Sequence, residues 1–149
     1  MSTYKGFGEL KVPHDLLQKL EHDIKRLENS PQDQYAAFDF FVTAEHLVDW
    51  VHPENKNDRT KLRSSSSLLR ITSHIANGAK HFEAKAKHHN SVTGTEKFRV
   101  YEEGVYEPGC FYEPLLIHLE HDEAQELGLT EIDAVDLGHK VLDFWRSYV

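Results

Sequence analysis

The chain has 149 residues and a mean hydropathy of -0.60, so we expect a globular protein that folds as one domain around one core. Its formal net charge of -8 disfavours broad DNA binding, and with Cys110 as the only cysteine a disulfide or cysteine zinc cluster within the chain is excluded. No apolar run approaches the roughly 20 residues that cross a bilayer, and the first residues lack a signal-peptide pattern, so a cytoplasmic protein without membrane contact is expected.

Two helices are predicted in the first third of the chain. The first covers residues 12–29, where leucines recur at helical spacing and Pro13 suits the first turn. For the second, Ser30 is predicted as the N-cap and Pro31 as the first helical residue, and the helix is expected to end near His52. Because this second helix is apolar over a wide arc, we expect it to lie at the centre of the core. The narrow sector that remains contains Asp39, Thr43, His46, Asp49 and Trp50.

A long third helix is predicted from about residue 60 to residue 87, after a surface loop over residues 54–59. The apolar period continues through the four serines at positions 64–67, so they are interpreted as one face of this helix rather than as a linker. Gly78 lies between Ala76 and Ala79, and this patch of small residues predicts a close approach by a neighbouring helix. Without such an approach, a glycine inside a helix costs ~1 kcal/mol.

The pattern changes after the third helix. Valine, tyrosine, phenylalanine and isoleucine with turn signals at Gly104 and Pro108-Gly109 predict two or three short strands, as an antiparallel insertion at about residues 95–120. A last helix is predicted over residues 132–149, with Thr130 and Asp133 forming a capping box. The predicted fold class is therefore mainly α: a single domain, residues 1–149, built as a bundle of about four helices with a small β insertion before the C-terminal helix, and pairing as a homodimer through a helical face.

The segment RITSHIANGAKHF, residues 70–82, places four polar side chains within about 60° of one another on the third helix. One interpretation is a solvated face. The other is a site, because arginine can stabilise an oxyanion and histidine can move protons near neutral pH, which together could support metal-free RNA cleavage. The candidate catalytic residues are Arg70, His74 and His81, and the candidate substrate-binding residues are Asn77 and Lys80.

An arginine followed by a histidine on a long helix of a small bundle resembles the HEPN superfamily, many of whose members are metal-independent ribonucleases that act as dimers. The resemblance implies a cleft for RNA or a nucleotide between two subunits, and no cofactor. Three residues separate Arg70 from His74 where the family has four to six, and Ile71 stands where a polar residue often follows the arginine. The segments ANGAKHF, AEHLVDW and DFWRSY also resemble a signature of uncharacterised bacterial and phage helical proteins, which implies no activity.

A metal site is a further alternative. His46 and Asp49 lie one turn apart, so with a histidine of the third helix they could bind a divalent ion, although no HExxH signature is present. The competing interpretation is a buried polar pair with a partner nearby: Thr43, Trp50, Arg70 or Lys80. The function expected from the sequence is a helical interaction module without catalytic activity and without a cofactor, with a metal-independent ribonuclease and a metal-binding bundle as the alternatives.

Overall fold

The computed structural model describes residues 4–82, 92–97 and 115–149. This part of the chain is mainly helical, with a small three-stranded antiparallel sheet before the last helix, which confirms the predicted fold class. Residues 98–114, with the predicted turns at Gly104 and Pro108-Gly109 and with Cys110, lie outside the described residues. The elements are α1 Pro13–Asn29, α2 Gln34–Val51, α3 Lys56–Ser64, α4 Ser67–His81, β1 Val92–Lys97, β2 Leu115–Leu119, α5 His121–Leu127, β3 Glu131–Asp133 and α6 Ala134–Tyr148.

The central helix is α2, as its apolar arc predicts. Its side chains are fully buried at Phe40, Phe41, Leu47 and Val48, and it packs against α1, α3, α4 and α6. The rings of Phe40 and Phe41 meet edge to face, with centroids 5.1 Å apart. Helix α1 buries its leucine face against α2. No described helix has the length and apolar character needed to cross a membrane.

Helix α2 begins three residues later than predicted. Its N-cap is Asp33, whose carboxylate accepts hydrogen bonds from the backbone N–H groups of Tyr35 at 2.9 Å and Ala36 at 3.3 Å. Ser30 instead closes α1, because its own N–H donates to the carbonyl of Arg26 at 3.1 Å. Pro31 lies in the turn between the two helices. The prediction of Ser30 and Pro31 as the start of α2 is therefore wrong.

The predicted long third helix is two helices. Residues 54–59 do not form only a loop, because α3 begins at Lys56 with Asn55 as its N-cap. The helix is interrupted within the serine run, where the Ser65 hydroxyl donates to the Leu62 carbonyl at 2.7 Å and Ser66 adopts an extended backbone. Such side-chain bonds compete with the helical ones. Helix α4 then continues through Gly78 and ends at His81; the predicted continuation over residues 83–87 lies outside the described residues.

The close helix approach occurs at Gly138 rather than at Gly78. A methyl group added at Gly138, on α6, would lie 2.7 Å from Ile24 Cδ1 of α1 and 3.4 Å from the Phe40 ring of α2. A methyl group at Gly78 would have no described neighbour within 4 Å. Within the described part of the chain, the prediction for Gly78 is wrong, since no described helix packs closely against this glycine.

The sheet has the order β1-β2-β3 with both pairs antiparallel. Strand β2 buries Leu115, Ile117 and Leu119 toward the helices. The short helix α5, which the sequence did not predict, connects β2 to β3, and β3 lies beyond the predicted limit of the insertion. Helix α6 starts with Asp133 as its N-cap, so the predicted capping position of Thr130 is wrong.

Candidate functional site

Arg70, the first residue of the predicted polar face, attaches α4 to α5. Its Nε donates to Glu123 Oε1 at 2.6 Å, and its Nη2 donates to both carboxylate oxygens of Glu126 at 2.9 and 3.0 Å. Its Nη1 donates to the carbonyl of Ser64 at 2.6 Å, at the end of α3. Glu123 is buried, so this ion pair is shielded from water on the carboxylate side.

The other residues of this face make different contacts. The Nδ1 atom of His74 accepts a hydrogen bond from the backbone N–H of Val92 at 3.0 Å, which joins α4 to the start of β1. Asn77 donates to the carbonyl of Ser73 at 2.8 Å within its own helix. His81 is exposed at the end of α4. The candidate site residues thus share one side of α4, and their catalytic role stays a prediction.

Helices α2, α3 and α4 enclose a cavity of about 420 Å³, which we call the Glu45 cavity. Two predicted substrate-binding residues, Asn77 and Lys80, line it, whereas His74 and His81 do not. Phe38 contributes an apolar wall. The remaining polar lining comes from α2 and α3: Glu45, His46, Asp49 and Arg63.

Glu45 is a buried carboxyl group at the wall of this cavity. Its Oε1 accepts a hydrogen bond from Arg63 Nε at 2.8 Å, and Arg63 Nη2 forms an ion pair with the same oxygen at 2.8 Å. Its Oε2 is buried and has no hydrogen-bond partner among the described residues. Burial raises the pKa of Glu45 from 4.5 to about 7, although Arg63 acts in the opposite direction. A carboxyl group that titrates near neutral pH in a cavity is typical of functional sites.

His46 and Asp49 do not form the predicted buried pair, because both are exposed. Asp49 Oδ1 lies 3.3 Å from Arg59 Nε and 3.6 Å from Arg63 Nη2, rather than pairing with Arg70 or Lys80. Asp49 has these partners because α3 forms where a loop was expected, and the basic residues of α3 lie beside the C-terminal end of α2. Within the described ranges, no group of three or more histidine, cysteine or acidic side chains is placed to bind a metal ion.

Neither Glu45 nor Arg63 was among the candidate catalytic or substrate-binding residues predicted from the sequence. One signal for Glu45 was present, because it lies four residues after Phe41 and three before Val48, in the apolar arc of α2. A charge at such a position must be neutralised or paired. Arg63 carried no comparable signal, since its role depends on how α3 folds back on α2.

A second cavity of about 360 Å³ lies between α3 and α4, and we call it the basic cavity. Arg63 lines both cavities. The other residues that line the basic cavity are Lys56, Thr60, Ser64, Arg70 and Ser73.

Comparison with protein-family models, curated proteins and solved structures found no match to this chain.

Proposed function

We propose that the protein is a helical interaction module of HEPN-like type, which binds a small polar ligand in the Glu45 cavity without chemically changing it. The observation that supports this proposal is that Glu45 lines the cavity and that its buried Oε2 atom has no hydrogen-bond partner among the described residues. An unpaired buried polar atom costs about 1 to 3 kcal/mol. A ligand that donates an N–H or O–H group to this oxygen would recover that free energy.

The chemistry of the cavity defines a ligand class. The ionised form of Glu45, which predominates above about pH 7, requires a hydrogen-bond donor, and an apolar group fits the wall formed by Phe38 and Val42. Arg63 contacts only Oε1, and Oε2 has no described partner at hydrogen-bond geometry, although the nearby Ser73 hydroxyl lowers the pKa of this carboxyl group. Small amides and amines that carry an aromatic or branched apolar group have these properties. Binding without catalysis is favoured because His74 and His81 do not line this cavity.

Ligand binding can be tested by NMR chemical-shift titration with benzamide, benzylamine and isobutyramide. We expect at least one of these compounds to give saturable shifts in α2 and α4 that are lost in Glu45→Gln. The matched control is Glu54→Gln, which makes the same substitution at an exposed position outside the cavity. If none of the three saturates, or if Glu45→Gln binds as the wild type does, the ligand assignment is wrong.

The HEPN-like resemblance also carries the ribonuclease hypothesis, in which Arg70, His74 and His81 act on RNA at a dimer cleft. If the protein binds its ligand without catalysis, the purified protein should not cleave single-stranded RNA in the presence of a metal chelator. His81 is exposed, so His81→Ala leaves the packed core intact. Cleavage by the wild type that falls at least tenfold in this variant would reject the proposal in favour of the ribonuclease.

A homodimer formed through a helical face and a cytoplasmic location complete the proposal. Light scattering coupled to gel filtration measures the oligomeric state directly. A monomer at all concentrations would remove the dimer from the proposal and would leave the Glu45 cavity unaffected, since its lining comes from three helices of one chain.

A further inference from the structure

The basic cavity differs from the Glu45 cavity in its chemistry. Every residue that lines it can donate a hydrogen bond from its side chain, and none is a carboxylate. Three of these residues are cationic, namely Lys56, Arg63 and Arg70, and the remaining three carry hydroxyl groups. A concave surface lined by charges of one sign concentrates counter-ions locally, even when the net charge of the whole protein is negative.

Acidic residues bond to the two arginines of this cavity and hold them in place. Arg63 donates a hydrogen bond to Glu45 through Nε, and its Nη2 forms ion pairs with Glu45 and Asp49. Its Nη1 has no hydrogen-bond partner among the described residues. Arg70 is bound by Glu123 and Glu126 of α5 and by a backbone carbonyl. These contacts reduce the positive charge but fix the guanidinium groups, so less rotamer entropy is lost when an anion binds.

Lys56 supplies positive charge that no described carboxylate compensates. It is exposed at the first position of α3, and no ion pair joins it to the described residues. Helix α4 begins between the lining residues Ser64 and Arg70, and its N-cap Ser66 makes no side-chain capping bond. The positive end of the α4 dipole therefore adds to the field of the cationic side chains.

We infer that the basic cavity binds a dianionic phosphoryl group, either as free phosphate or as the monoester of a small molecule. The three terminal oxygens of such a group need several donors, which Lys56, Arg63 and the hydroxyls of Thr60 and Ser64 supply, while Arg70 contributes positive charge. A volume of about 360 Å³ falls at the lower end of small-molecule sites and leaves room for an ester group. The net charge of -8 repels long polyanions, so a small phosphate is favoured over a nucleic acid. This site goes beyond the proposed function, because it is a second cavity that shares only Arg63 with the Glu45 cavity.

Isothermal titration of the whole chain with inorganic phosphate, adenosine 5′-monophosphate and adenosine tests this inference. We expect the first or second compound to bind, and adenosine not to bind. In Lys56→Gln with Thr60→Ala, affinity should fall at least about tenfold, because a charge-assisted hydrogen bond and a hydroxyl donor are lost. Both positions are exposed, so the variant should fold as the wild type does.

The matched control is Lys61→Gln, an exposed lysine of α3 that does not line the cavity, and it should keep wild-type affinity. Equal affinity for phosphate and the nucleotide would show that free phosphate is sufficient for binding. Tighter binding of the nucleotide would show that the ligand is a phosphate monoester. Absence of saturable binding by both compounds would overturn the inference. The inference would also be overturned if Lys61→Gln lost as much affinity as the double variant, because the loss would then reflect only the overall charge of the protein.

Discussion

Glu45 shows how burial changes the chemistry of one residue. The pKa of its carboxyl group rises from 4.5 to about 7, because desolvation disfavours the ion more strongly than Arg63 favours it. The folded state therefore binds the proton more tightly than the unfolded state does. Protonation of this group stabilises the folded state by about 3 kcal/mol at full effect. This stabilisation is complete below about pH 4.5 and is lost as the pH rises through about 7.

Urea unfolding of the wild type and of Glu45→Gln at about pH 5 and about pH 8 measures this contribution. The wild type should lose about 2 kcal/mol more unfolding free energy between these two pH values than the variant does, since part of the full effect lies below pH 5. Arg63 and Asp49, which face Glu45, are present in both proteins. Equal pH dependence in the two proteins would mean that Glu45 titrates as an ordinary exposed acid.

Helical spacing was enough to place Arg70, His74, Asn77 and His81 on one side of α4. It could not identify their partners. Glu123 is 53 residues from Arg70 along the chain, and the backbone N–H of Val92 is 18 residues from His74. These contacts depend on how α5 and β1 pack on the helix. A polar residue that holds a neighbouring element therefore has the same sequence pattern as a catalytic one.

Helix α2 offers a test of how its first residue is determined. Asp33 caps the helix through two backbone N–H groups, whereas Ser30 makes no such bond to α2. We expect Asp33→Ala to lower the unfolding free energy by about 1 kcal/mol, and Ser30→Ala to change it by less than half of that. Chemical denaturation of both variants measures the difference. A larger loss in Ser30→Ala would show that α2 begins at the serine.

Two glycines in helix interiors should respond to alanine in opposite directions. At Gly78 a methyl group meets no described atom, so Gly78→Ala should stabilise the protein by about 1 kcal/mol through helix propensity. At Gly138 the methyl group would overlap Ile24 Cδ1, so Gly138→Ala should destabilise it by about 1 kcal/mol or more.

Thermal and urea unfolding of the two glycine variants measure these effects. The Ile24→Val background removes the overlapping Cδ1 atom, so the loss caused by Gly138→Ala should largely disappear there. Persistence of the full loss in that background would assign it to another contact. Stabilisation by Gly138→Ala in the wild type would show that α1 and α6 separate easily.

At the element scale, long apolar periods predicted α1, α2 and α6 well, because burial of a continuous face determines these helices. The boundary between α3 and α4 was missed for a local reason. The serine hydroxyl at position 65 bonds a backbone carbonyl, and this interruption leaves the apolar period across it unchanged. Helix α5 was missed because its seven residues are too few to show a period, and its contact with Arg70 joins residues 53 positions apart in the chain.

At the scale of the whole molecule, α4 joins two parts of the fold. One face packs on the helical core formed with α2 and α6, and the opposite face binds α5 through Arg70 and β1 through His74. Two residues of the predicted catalytic face, Arg70 and His74, thus add polar contacts from α5 and β1 to the bundle. Elements held by a few polar contacts open more easily than elements held by a continuous core.

This arrangement predicts a local effect of Arg70→Ala. The substitution leaves the buried carboxylate of Glu123 without its arginine, and a loss of about 3 kcal/mol is expected for breaking such a pair. Amide hydrogen exchange in α5 should accelerate by about 100-fold, while exchange in α1 and α2 should change by less than about tenfold, because their protection comes from the apolar core.

Arg146→Ala is the matched control for this experiment, since its ion pairs with Glu21 and Asp143 lie at the surface and contribute less than about 1 kcal/mol. It should leave exchange in α5 unchanged. Equal acceleration of α1, α2 and α5 in Arg70→Ala would show that the arginine stabilises the entire fold as one cooperative unit. Unchanged exchange in α5 would show that apolar contacts of Ala124 and Leu127 with the core hold this helix, and that the arginine is free to serve another role.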